Sequence, residues 1–161
     1  MADILTLFTL MAMMATPILA VTDGECTLPF YKYGDDCLYF SVRDNGTRMS
    51  WSQAREACKL IGGDLAHNFS VDTLLKDDDF FSRVVGRSSP WVGASNHMAQ
   101  GVFTWLDSNR VVLGPWYERH PNSNPGVTNC VWLKYSTFNE LIRKGFGVSD
   151  CESLTQFMCQ K

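Results

Sequence analysis

Six cysteines, Cys26, Cys37, Cys58, Cys130, Cys151 and Cys159, constrain this 161-residue chain more than any other feature, and all of them lie beyond residue 20. An even count behind an apolar leader argues for three disulfides in an oxidising compartment. Six cysteines admit many pairings, and their spacing selects none. A zinc centre is the rival reading. It fits poorly, because the cysteines are not closely paired and His67, His97 and His120 are scattered.

The leader itself is the uncharged run "ILTLFTLMAMMATPILA" from Ile4 to Ala20. It is short for a bilayer span and ends on a small residue, so residues 1–20 are expected to be a cleaved secretory signal, despite an n-region with Asp3 and no basic residue. Losing Asp3 moves the formal charge of −3 to about −2. That balance points neither to nucleic acid nor to an anionic membrane surface. The remaining 21–161 suits one domain with its own core, expected to be soluble and extracellular. Sequons at Asn45 ("NGT") and Asn68 ("NFS") are candidate glycosylation sites in that compartment.

Along the chain, "CLYFSV" (Cys37–Val42) has strand composition, and "RDNGT" breaks it with a turn. "SWSQAREACKLIGG" carries helix signals: Ser50 as N-cap, Gln53 three residues on, an apolar stripe through Trp51, Ala54 and Cys58, and a Gly62-Gly63 stop. A second helix is expected from about Val71 to Val85, on the stripe Leu74, Leu75, Phe80, Phe81, Val84 and Val85. Asp77 to Asp79 within it point in different directions on a helix, so a solvated face is favoured over a metal cluster. Beyond "SSPWVGASN" the period shortens to two. "GVFTWLDSNRVVLGPW" is expected to form a hairpin around "DSN", and "CVWLKY" and "QFMCQK" two further strands. Two helices followed by short antiparallel strands make an α+β domain.

"HPNSNPGVTNC" (His120–Cys130) is too rich in Pro, Gly and Asn for a helix or central strand and is a loop that holds out amide oxygens. No nucleophile elbow, His-Glu-x-x-His helix or plausible acid pair occurs, and the cysteines are needed for bridges, so an enzyme has little support.

The cysteine order, "SWSQAREACKLIGGDLA", "WVGA" (Trp91–Ala94), "FTWLDSNRVVLGPW" and the closing "FMCQ" together resemble a C-type lectin-like domain of the long form, from Cys26 to Cys159. The resemblance implies a disulfide-stapled α+β fold of two helices, short antiparallel sheets and a long loop region. It also implies the pairings Cys58–Cys159, Cys130–Cys151 and Cys26–Cys37. In sugar-binding members a Glu-Pro-Asn or Gln-Pro-Asp triplet follows a core Trp, and its outer side chains bind calcium and sugar hydroxyls. Here His120, Pro121 and Asn122 stand at that place after Trp116. Pro121 is therefore a candidate cis proline. Trp116 is expected in the core, with Tyr117 either buried or presented to sugar.

The family's calcium ligands would fall at His120, Asn122, Thr128, Phe146, Gly147 and Val148, of which Asn122 alone matches a ligand. Calcium wants six to eight hard oxygens, so it is not expected at the sugar site. A register slip bringing in Asp150, Glu152, Glu118 or Asn124 is the minority alternative. The implied function is carbohydrate binding by a secreted lectin in innate-immune recognition or agglutination of microbes, with glycans or microbial surfaces as partners. The alternatives are a calcium-independent lectin-like domain that binds a protein or another surface ligand, and a toxin-like or ice-binding relative. Contacts would come from His120, Asn122 and Asn124, with Asn129 and Tyr117 at the edge. An unperturbed His120 would add charge in mild acid and favour anionic surfaces.

Overall fold

The computed structural model describes residues 22–23, 26–43, 45–67, 76, 85–86, 88–122, 126–138 and 141–161. The expected signal at 1–20, Asn68, Asn124 and, apart from Lys76 and Val85, the expected helix 71–85 with its acidic triplet lie outside them.

Two short strands, β1 (Thr22–Asp23) and β2 (Cys26–Thr27), pair with each other at the start. One four-stranded antiparallel sheet follows, from β3 (Tyr31–Tyr33), β4 (Asp36–Phe40), β5 (Asp64–Leu65) and the C-terminal β10 (Met158–Gln160), in the order β3-β4-β10-β5. The second comprises β6 (Trp91–Ala99), β7 (Val102–Trp105), β8 (Asn129–Phe138) and β9 (Leu141–Asp150), in the order β7-β6-β8-β9. Among the described residues there is one α-helix, α1 (Trp51–Leu60).

The helix starts where the capping residues placed it, with the Ser50 N–H donating to Gln53 Oε1 at 3.1 Å. Its buried face is Trp51, Ala54 and Cys58. Trp51 Nε1 donates to the Val92 carbonyl at 2.8 Å, and Trp91 Nε1 donates to that of Met49 at 3.1 Å. These indole bonds lock α1 to the "WVGA" strand. Gly93 is required there, because a Cβ would lie 2.7 Å from the Leu65 carbonyl oxygen.

Two cores result. One joins the sheets through Leu38, Phe40, Phe103, Val131, Leu133 and Phe146; the other surrounds α1 with Trp51, Trp91, Phe157 and the cysteines. Complete burial of a large apolar side chain such as Leu133 stabilises by about 1.5–3 kcal/mol. The bridges are Cys26–Cys37, Cys58–Cys159 and Cys130–Cys151, the pairing the resemblance implied. Cys58 is fully buried, as its place on the apolar face of α1 requires.

The structure departs from the sequence reading in three places. The "CLYFSV" strand stops at Phe40 and gives way to a 3-10 turn, Ser41–Arg43, where the Ser41 hydroxyl donates to the Thr47 carbonyl and accepts from the Phe157 N–H. The hairpin around "DSN" closes only briefly: β7 pairs with β6, and the return arm meets β7 through the Thr104–Val111 bridge. Third, "LIRKGFGVSD" is a ten-residue strand, paired with β8 from Asn129–Asp150 to Phe138–Leu141. Its two glycines and charges disguise it, yet the glycines are needed for close approaches described below.

Candidate functional site

β9 is the outer strand of its sheet, and the segment before the "HPN" triplet lies along its open edge. The Phe146 N–H donates to the Pro115 carbonyl at 2.8 Å, and the Tyr117 N–H to the Phe146 carbonyl at 2.7 Å. Gly145 allows this approach, since a Cβ there would sit 2.8 Å from the Pro115 oxygen. Trp116 packs on the core edge-to-face with Phe103 (5.5 Å between centroids) and Phe146 (6.1 Å), which answers the expectation for that residue.

The His120–Pro121 peptide is cis, as are Leu28–Pro29 and Gly114–Pro115. Pro121 and Asn122 are exposed, whereas His120 is half-buried and turned inward. Its Nδ1 accepts a hydrogen bond from the Val148 N–H at 3.2 Å, and its ring meets Trp132 edge-on at 5.2 Å. An acceptor Nδ1 is unprotonated, so the neutral ring carries its proton on Nε2. Burial lowers the His120 pKa below the ordinary 6.5, against an opposing pull from the Glu118 carboxylate. The ring is therefore perturbed, and it gains its charge at lower pH than the unperturbed His120 of the expectation.

Trp132 is the centre of this face. Val131 and Leu133 point into the first core, so the pleat turns Trp132 to the opposite face, where it packs half-buried against the second core and Tyr117 (6.4 Å) and His120 close on it. The Tyr117 hydroxyl is 3.1 Å from the Ser136 hydroxyl. Trp132 stands opposite Gly147, and a Cβ at Gly147 would overlap the indole ring. An aromatic cluster thus occupies the surface where side-chain ligands would have to project.

Calcium does not fit this donor set. His120 offers its Nδ1 to a backbone amide, Phe146 and Val148 are buried in the core, and Gly147 has no side chain. Asn122 contributes one amide oxygen, far short of the six to eight oxygens calcium takes. Two of the alternative carboxylates have partners of their own, and Asn124 lies outside the described residues. Asp150 stays opposite Asn129 and accepts from the Glu152 N–H, while the Glu118 carboxylate pairs with Arg143. His97 lies close to the sulfurs of Cys130 and Cys151, but these form a disulfide and offer no thiolate.

The Lectin C-type domain family profile matches residues 47–161. The chain belongs to the C-type lectin domain family.

Among relatives of this C-type lectin domain, ladderlectin of Oncorhynchus mykiss is 23% identical over 119 residues, covering 73% of this chain and 60% of its own. The type-2 ice-structuring protein of Hemitripterus americanus is 25% identical over 108 residues, covering 67% and 61%. The chain thus spans about three-fifths of the length of those relatives. A solved calcium-independent type II antifreeze protein superposes with a TM-score of 0.63 at 22% identity, covering 84% of this chain and 93% of the other.

The sequence-derived site residues of the C-type lectin domain separate into groups. His120, Pro121 and Asn122 stay together on one loop, and Tyr117 joins His120 at Trp132. Asn129 is 2% exposed and belongs to the framework: its N–H donates to Asn96 Oδ1 at 2.7 Å and its Nδ2 to the Val127 carbonyl at 2.8 Å. It is therefore corrected from edge contact to structural residue. Asn45 is exposed in its turn at φ 58°, accessible as a sequon should be. Trp132 belongs to no motif of the sequence; its one readable signal is an aromatic between the two core-facing positions Val131 and Leu133. Among the described residues no helix is long and apolar enough to cross a membrane.

Proposed function

We propose that the chain is a secreted, non-enzymatic binding domain that recognises glycans on microbial or other surfaces without calcium at the His-Pro-Asn loop. In this reading residues 1–20 are removed as a signal and 21–161 form the working domain, glycosylated at Asn45. The observation that carries it is the inward turn of His120, whose Nδ1 is committed to the Val148 amide while Asn122 and Pro121 remain exposed. Family membership and the relative called ladderlectin support carbohydrate as the ligand class. Neutral hydrogen bonds from Asn122, Asn124 and the rim of Tyr117 are each worth about 1 kcal/mol. Without a metal, single-sugar affinity is then weak, and useful binding comes from clustered ligands.

A second reading follows from the same inward turn: with its metal ligands replaced, the loop face recognises a protein. One experiment separates them. Whole bacteria, a polysaccharide and a glycan array are presented to the purified protein with chelator present, beside an Asn122→Ala variant. Chelator-resistant glycan binding weakened by the variant supports the lectin reading. Absence of glycan binding on every surface would leave the protein-binding alternative.

A further inference from the structure

A cleft on a different face, between α1 and the β6–β7 hairpin, shares no residue with the His-Pro-Asn loop. It encloses about 300 Å³, at the lower end of the range of small-ligand pockets. The nearly buried Trp51 and Trp105 line it, together with Met98 and Leu106. Around this apolar body stand Arg55 and His97, with Asn109 at the exposed tip of the turn.

The polar groups have one bias in common. No Asp or Glu lines the cleft, while Arg55 brings a permanent cation. Asp64, which lies outside the lining, takes the side edge of the guanidinium: Nε donates to Oδ1 at 3.1 Å and Nη2 to Oδ2 at 3.1 Å. That fork fixes the guanidinium, whose Cζ is 6.0 Å from the Trp51 ring, and leaves the Nη1–Nη2 end as its second fork. His97 Nδ1 is engaged with the Ser95 hydroxyl at 2.8 Å, leaving Nε2 for a ligand, and its ring lies 5.7 Å from that of Trp51. A fixed cation, an imidazole and an amide around an apolar floor suit a ligand with a flat or apolar ring and an acceptor-rich anionic group.

We propose that this cleft binds a small ring-bearing carboxylate, the ring against the indoles and the carboxylate on the free end of Arg55. Two sources share that chemistry, an acidic sugar residue and an aromatic acid. Asn109 stands beside the carboxylate in either case.

Calorimetric titrations with methyl glucuronide and with benzoate test it, each against its neutral counterpart, methyl glucoside or benzyl alcohol, at low ionic strength with chelator present. At least one acid should bind ten-fold or more tightly than its counterpart, and which one does so identifies the source. Arg55→Gln should abolish the preference. Because Arg55 also holds Asp64, Asn109→Asp is the decisive variant. It sets a negative charge at the rim in a left-handed turn position (φ 54°) that Asp tolerates, without touching the Arg55–Asp64 fork. It should weaken the acid at least ten-fold with an unchanged melting temperature. Equal binding of acid and neutral partner, no binding of either acid, or full acid binding by Asn109→Asp would overturn the proposal. Loss of chelator-resistant glycan binding through Asn122→Ala reports on the other face and is independent of all three results.

Discussion

The Val148 amide donates to His120 Nδ1 across 3.2 Å, tying the "HPN" triplet to a strand 28 residues further along the chain. The bond requires a neutral ring, and it turns the first residue of the triplet away from solvent. Its consequences can be measured separately.

The first concerns acid. Burial keeps the folded His120 pKa below the ordinary 6.5, so between those two values the unfolded chain holds a proton that the folded chain does not. Stability from this site is full above about pH 6.5 and falls as pH drops through the folded pKa. NMR titration of the ring should give a value below 6.5, and His120→Gln should flatten that part of the stability profile. A folded pKa above the ordinary value would refute the inward turn.

Restoring a ligand side chain at Gly147 should be harmful. Its Cβ would overlap the Trp132 ring, so Gly147→Asn should cost about 1–3 kcal/mol in urea unfolding, the usual range for overpacking. Gly147→Asn combined with Trp132→Ala should recover part of that loss relative to the sum of the two single variants. Strict additivity would show that the two positions do not collide.

Millimolar calcium should leave the melting temperature of wild type and Asn122→Ala alike. A ligand raises stability only as RT ln(1 + [L]/Kd), and one amide oxygen gives a large Kd. A rise of several degrees in wild type that disappears in Asn122→Ala would contradict the donor analysis of the loop.

The disulfides should differ in weight. Cys58–Cys159 spans 101 residues and Cys26–Cys37 spans 11. In the chain-entropy model their removal costs about 4.7 and about 2.8 kcal/mol respectively. Paired serine variants compared by denaturant unfolding should keep that order, and the variant lacking Cys26–Cys37 should still fold.

Much of this was readable in advance because local chemistry and the framework agree. Ser50 and Gln53 start α1, Cys58 lies on its inner face, and Pro121 is cis where the triplet needs it. What escaped depends on distant partners. β9 carries Gly145 and Gly147, which weaken any strand signal; they are there because Pro115 and the Trp132 ring come within Cβ distance. Asn129 is chemically indistinguishable from a loop ligand until Asn96, 33 residues earlier, claims its N–H. The direction of His120 was equally unreadable, since Val148 decides it.

β10 lies between β4 and β5, so a strand that follows both of them in the chain by about a hundred residues is an interior strand of their sheet. During synthesis β4 and β5 emerge with a gap between them that no earlier segment fills. The sheet and the Cys58–Cys159 bridge therefore close only once Met158–Gln160 is available to both neighbours. Until then the nascent chain offers two unpaired strand edges and an unpaired Cys58 thiol, and a truncation ahead of Met158 would leave both open.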